Sequence, residues 1–217
     1  QIRTVDLEWT FNSDGTISGV KYTDNPLVKF RMQEPPFKGP DGKVPANVYA
    51  AGTDSYDRDK VAETTSGSFG SCYVGKSFID ANQSSFVLKV CSYTGRPETG
   101  EEFYEETAKM CVLYNARNLI EYSNIRIMDW YQQNGFTRFL VERPEWLYAN
   151  MPNSTVQNKY GLDPQAKPYM ISTLADFLAR DRNINIRKLM DLEDIDELIR
   201  YRKEMNSDRT IAMALVA

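Results

Sequence analysis

Three of the chain's acidic residues differ from the rest in their surroundings. Asp54 follows the short apolar run Asn47 to Gly52, Glu121 interrupts Leu119-Ile120 inside the run Asn118 to Tyr122, and Asp208 opens the small-residue stretch Thr210 to Leu215. Most acids sit on polar faces, where water solvates them. A carboxylate carried at the end of an apolar element loses that solvation and needs a partner, and a divalent cation is the obvious one. Magnesium and manganese take oxygen ligands and keep several waters, which suits a site built from few carboxylates.

The absence of histidine from all 217 residues narrows the chemistry further. It excludes a serine or cysteine nucleophile activated by imidazole, a helical H-E-x-x-H zinc pair and a histidine-metal nuclease finger. What remains is carboxylate, lysine, hydroxyl or metal-bound chemistry.

A second pattern competes for attention. Gly70-Ser71-Cys72-Tyr73-Val74-Gly75-Lys76-Ser77 spells G-x-x-x-x-G-K-S, the nucleotide triphosphate loop, and would make the chain a nucleotide-binding module. That loop works only between a strand and a helix, whose N-terminal amides wrap the phosphates. Here Glu63 to Phe69 does not read as a strand, and Phe78 to Asn82 breaks into a turn where the helix should grow. A β-strand is therefore expected across the motif.

The elements that must position these residues can be read from periodicity. Leu7 to Phe11, the turn Asn12-Ser13-Asp14-Gly15 and Thr16 to Tyr22 predict a hairpin, followed by a strand over Leu27 to Met32. Gln33 to Val44, rich in proline and glycine, marks a boundary. Asn47 to Gly52 reads as a buried strand delivering Asp54 to its C-terminal edge. Ser71 to Phe78 and Ser85 to Tyr93 complete an antiparallel meander, with a polar loop from Lys60 to Phe69 between.

Thr99 and Glu102 form a T-x-x-E capping box, and Phe103, Thr107, Met110, Cys111 and Tyr114 repeat at helical spacing behind it. Asn118 to Tyr122 is a strand, Ile125 to Asn134 a helix ending at Gly135, and Phe139 to Val141 a returning strand. Further helices are expected after Pro168 (Ile171, Leu174, Ala175 and Leu178 on one face), over Leu192, Ile195, Leu198 and Ile199, and from Asn206-Ser207-Asp208 onward.

With 26 basic against 30 acidic side chains the formal charge is −4, which neither advertises a nucleic-acid partner nor excludes one. A hydrophobic fraction of 41% fits a globular protein with one large core. No run is long enough to span a membrane, and the first residues do not read as a signal peptide, so a soluble, unexported chain is expected. Cys72, Cys91 and Cys111 lie far apart in apolar segments and read as reduced core thiols. A start at Gln1 and an end inside an apolar run suggest an excised fragment.

The predicted order is three antiparallel strands, a helix, a strand with an acid, a helix, a strand and a late helix with an acid. That is the order of the ribonuclease H-like fold, an α/β class with a mixed sheet flanked by helices. Tyr49-Ala50-Ala51-Gly52-Thr53-Asp54, Leu119-Ile120-Glu121-Tyr122 with Gly135-Phe136, and Asn206-Ser207-Asp208-Arg209-Thr210-Ile211-Ala212 resemble the three acidic motifs of the nuclease domain of phage large terminases. Ser55 to Lys60 and Ser66-Gly67-Ser68 are most similar to the terminases of crAss-like phages. The resemblance covers nearly the whole chain.

It implies residues 1–40 as a small β extension linking to a missing ATPase domain, and 41–217 as the nuclease domain. It implies metal-dependent cleavage of double-stranded DNA during viral genome packaging in the host cytoplasm, with portal and small terminase as partners. Two Mg²⁺ or Mn²⁺ ions are expected, Asp54 bridging them and Glu121 and Asp208 each holding one. Ser207 stands where the family often has a second acid, so Asp57 or Asp59 is expected to supply a further ligand. Arg58, Lys60, Lys76, Lys159 and Lys167 are the candidates for the DNA backbone, and Asp57 to Phe69 for a flap over it. Trp130 and Trp146 read as scaffold. A ribonuclease H-like resolvase or exonuclease outside packaging, and a docking domain with an inert acid cluster, are the other readings.

Overall fold

The computed structural model describes residues 2–28, 30–55, 69–80, 83–122, 125–145, 159–183, 189, 191–202 and 207–217; for 77–80, 83–88 and 180–183 the description is of the backbone alone. Strands β1 (Arg3–Phe11), β2 (Ile17–Asp24), β3 (Phe30–Met32), β4 (Tyr49–Asp54), β5 (Gly70–Asp80), β6 (Gln83–Gly95) and β7 (Arg117–Glu121) form one sheet in the spatial order β2-β1-β3-β6-β5-β4-β7. Every pairing is antiparallel except β4 with β7, which run parallel. Five helices flank the sheet among the described residues: α1 (Gly100–Tyr114), α2 (Arg126–Gln133), α3 (Lys167–Asn183), α4 (Leu192–Arg200) and α5 (Asp208–Ala214). None of them is long and apolar enough to cross a membrane.

Local chemistry explains the elements. At the first hairpin Gly15 takes φ +82, Asn12 N–H donates to the Thr16 carbonyl at 2.8 Å, and Asp14 Oδ1 accepts from the Thr16 amide at 2.9 Å. Helix α1 begins where the capping box predicts: Thr99 Oγ1 accepts from Glu102 N–H at 3.2 Å, while Glu102 Oε2 reaches back to Glu98 N–H at 3.1 Å. Phe103, Thr107, Met110, Cys111 and Tyr114 are all buried, as their spacing requires.

The expected N-terminal extension is continuous with the rest. Phe30, Arg31 and Met32 pair with Tyr93, Ser92 and Cys91, and Val5 and Leu7 are fully buried in the same core. That core lies on the α1 and α2 side of the sheet and includes the three cysteines, all free and buried. Burial pushes the Cys72 and Cys91 thiols up to about 12, so they behave as packing groups. Trp130 packs against this core, stacked on Phe136 at 5.7 Å, in keeping with a scaffold role; Trp146 lies outside the described residues.

Three expectations are corrected. Phe139 to Val141 is not a strand: Thr137–Phe139 forms a 3-10 turn, and only Leu140 bridges the sheet, to Asn118 in parallel. The turn folds Phe139 inward beside Phe136, which leaves too little chain to run along β7. On α3 the buried residues are Met170, Leu174 and Phe177, so the inward stripe is rotated and Ala175 is exposed. On α4, Leu192 and Ile199 are exposed although Leu198 packs inward.

The second core, on the opposite face, joins α3 and α5 to Tyr73 of β5 and Leu162. Helix α4 is tied to this layer by ions. Lys89 of β6 contacts Asp191 at 2.8 Å and Asp194 at 2.5 Å, Arg31 of β3 reaches Asp191 at 3.0 Å, and Arg209 of α5 pairs with Glu193. Asp191 also caps α4, its Oδ1 accepting from Glu193 N–H at 3.1 Å.

The Gly70 to Ser77 pattern lies wholly within β5. Its residues pair with β4 on one side and β6 on the other, so no loop and no helix N-terminus stands where a triphosphate would need them.

Candidate metal centre

Parallel pairing of β4 and β7 puts Asp54 directly beside Glu121, each the last residue of its strand. Both are buried, and the Glu121 carboxylate acts directly on the Asp54 carboxyl beside it. Backbone bonds on both sides hold Glu121 there: Ser55 N–H donates to its carbonyl at 3.0 Å, and the neighbouring Tyr122 N–H donates to the Leu162 carbonyl at 3.0 Å. Behind the acids, on the far face, Thr53 Oγ1 donates to Asn118 Oδ1 at 2.9 Å and ties the same two strands.

The third acid arrives from α5, and a glycine lets it come. Gly52 shares a sheet face with Asp54, two residues on. A Cβ at Gly52 would lie 2.5 Å from the Ala212 carbonyl oxygen and 2.6 Å from Leu215 Cβ, so α5 rests directly on the backbone of β4. Asp208 is the first residue of that helix and is buried. Its Oδ2 accepts from Phe69 N–H at 3.0 Å, which fastens the C-terminal end of the expected flap to the site.

The sequence assigned Lys167 to the DNA backbone; the structure places it among the acids. The segment around Leu162 bridges Glu121 in parallel, and Gly161 there takes φ +72 with its Cα against the Ile120 carbonyl, where a Cβ would come to 2.7 Å. Asp163 then caps the 3-10 turn Pro164–Ala166, its Oδ1 accepting from Gln165 N–H at 2.8 Å. Helix α3 follows at once, and its first residue is Lys167, with Nζ 3.6 Å from Glu121 Oε1. Its charge acts on Asp54, Glu121 and Asp208 together.

Electrostatics follow from this crowding. Burial lifts the Asp54 carboxyl well above the usual carboxylate range, the Glu121 and Asp208 charges lift it further, and Lys167 opposes them. The Lys167 ammonium is held above its ordinary value because the three carboxylates outweigh its own desolvation. Glu121 Oε1, buried, makes no hydrogen bond among the described residues.

The donor set fits a hard divalent cation: oxygen ligands only, one of them unsatisfied and one carboxyl strained by like charge. Among the described residues no three acidic or thiol side chains are already drawn tightly enough to enclose an ion. Phe69 engages Asp208, and Lys167 stands by Glu121.

The remaining predicted residues are either outside the described residues or, for Lys76 and Lys159, away from the acids. Asp57, Asp59, Arg58 and Lys60 lie outside the described residues. Lys76 pairs with Glu34 and sits opposite Tyr49, five residues or roughly 16 Å along β5 from the position facing Asp54. Lys159 is exposed and pairs with Glu142 at 2.9 Å, three residues before Leu162. Asp163 was missed; the Asp-Pro pair at a helix entry is its local signal, but its nearness to Glu121 depends on a strand contact no local pattern reveals.

No protein-family model matches the chain, and no curated protein matches it.

Proposed function

We propose that the chain is a metal-dependent endonuclease acting on double-stranded DNA, of the kind found in the nuclease domain of phage large terminases. One observation carries the reading: three buried acids from three separate elements, the ends of two adjacent parallel strands and the first turn of α5, lie near enough at one edge of the sheet for their charges to act on one another. Sheet order supports it as well. From β6 the order runs β6-β5-β4-β7 with the first three antiparallel, the fourth parallel to β4, and Leu140 bridging beyond β7 in parallel. A ribonuclease H-like sheet has this arrangement, with Leu140 a remnant of the last strand.

Asp54, Glu121 and Asp208 would hold Mg²⁺ or Mn²⁺. A pair of such ions supplies an activated water on one side of a phosphodiester and charge stabilisation for the leaving 3′ oxygen on the other, with no imidazole base. The chain's own part is to present ionised carboxylates at fixed spacing. β4 and β7 fix the first two through their register, and the Gly52 contact fixes the third. Phe69 N–H donates to Asp208, so the residue that closes the expected flap is tied to the same acid. By the resemblance, the work is genome packaging in the host cytoplasm, beside an ATPase domain, a portal and a small terminase.

Plasmid digestion tests the reading and separates it from a resolvase. With Mn²⁺ or Mg²⁺, supercoiled circular DNA is linearised and then degraded, with no preference for a four-way junction over plain duplex. Cleavage that persists in EDTA, or that requires a junction, would sink it.

A further inference from the structure

Three buried carboxyl groups whose charges act on one another need a compensating charge before any metal ion arrives, and Lys167 brings it. Its backbone is fixed: the Leu162 segment is bonded to β7, Asp163 caps the following turn, and α3 starts at Lys167 itself. Its ammonium, on a four-carbon stem, is not fixed. The side chain is 42% exposed, and its Nζ lies 3.6 Å from Glu121 Oε1, farther than a well-formed hydrogen bond. The contrast with Lys89 is instructive: that side chain is 9% exposed and locked to Asp191 at 2.8 Å and Asp194 at 2.5 Å. Lys89 is held on two carboxylates at close range; Lys167, more exposed and at longer range, is held less tightly.

We propose that Lys167 is a resident counter-cation of this site, one that holds the three carboxyl groups together in the metal-free protein and competes with the first divalent ion for them. The inference rests on the metal-centre reading of the same acids. It assigns Lys167 a positioning role within the acid cluster rather than the duplex contact its sequence position suggested. When an ion takes the carboxylates, the ammonium is released beside them, at the edge where a phosphate would lie.

The test is a calorimetric titration of the whole chain with Mn²⁺, without DNA, for the unsubstituted protein, Lys167→Met, Lys167→Gln, Lys167→Arg and Asp54→Asn. Loss of the competing charge tightens Mn²⁺ binding roughly fivefold to tenfold in both neutral variants, while Lys167→Arg stays within about twofold. In EDTA, Lys167→Met melts below the unsubstituted protein, and adding Asp54→Asn to it restores the loss. Unchanged or weaker Mn²⁺ affinity in the neutral variants, tighter binding in Lys167→Arg as well, or an unchanged melting temperature in EDTA would each overturn the inference. Asp54→Asn separates the two levels. If it abolishes Mn²⁺ binding while Lys167→Met changes nothing, the metal centre stands and the counter-cation falls; if it leaves Mn²⁺ binding intact, both fall.

Discussion

Asp54 and Glu121 end adjacent parallel strands as register partners, and their carboxyl groups meet in a buried corner where neither can be fully solvated. Such a pair resists double ionisation, and Asp54 carries the strain as a pKa raised by burial first and by Glu121 second.

That shift sets a pH dependence. Because Asp54 holds its proton more tightly folded than unfolded, its contribution to stability is complete below the unfolded value of about 4 and is lost as pH rises through the raised folded value. Without metal, the chain therefore loses stability over the range above about pH 4, and Asp54→Asn flattens the profile. At pH 7 in EDTA the variant melts about 3–6 °C higher than the unsubstituted protein, and near pH 3.5 the two coincide. Melting followed by circular dichroism across that range checks this; a lower melting point for Asp54→Asn at pH 7 would contradict it.

Gly52 is the close contact on which the third acid depends. Gly52→Ala would drive a methyl group into the Ala212 carbonyl, Leu215 and Val216, none of which is the far end of a flexible side chain. Helix α5 must move away from β4, costing about 1–3 kcal/mol of stability and carrying Asp208 with it. Denaturant unfolding gives the first number. Calorimetry with Mn²⁺ gives the second consequence, weaker binding despite three intact carboxylates.

Lys89→Met tests the ionic tie between α4 and the sheet. Removing this nearly buried ammonium leaves Asp191 and Asp194 without their main partner in a dry site, at a cost of about 3–5 kcal/mol. The double variant Lys89→Met with Asp194→Asn recovers part of that loss, so urea unfolding of the single and double variants should show strong non-additivity.

How far the sequence reached depended on whether a feature was local. Helix α1 was legible because Thr99, Glu102 and five buried positions state it within 16 residues. The strand ends bearing Asp54 and Glu121 were legible because an acid after an apolar run is itself a local anomaly. Phe139 to Val141 was not, since a short apolar run does not tell a strand from a 3-10 turn. Nor were Leu192 and Ile199, whose helical spacing says they share a face but not what covers it. Lys167 was read as a phosphate contact because its place among the acids comes from Leu162 bridging Glu121 across about 40 residues, which only the folded chain displays.

The central claim is that Asp54, Glu121 and Asp208 form one metal-dependent centre for phosphodiester cleavage. A single plasmid-nicking assay in Mn²⁺, run in parallel on the unsubstituted chain, Asp54→Asn, Glu121→Gln and Asp208→Asn, tests it most directly. The account predicts cleavage by the unsubstituted chain, abolished by EDTA, and a loss of at least about 100-fold in each variant while its fold is retained. Cleavage at the unsubstituted rate by any of the three folded variants would contradict it.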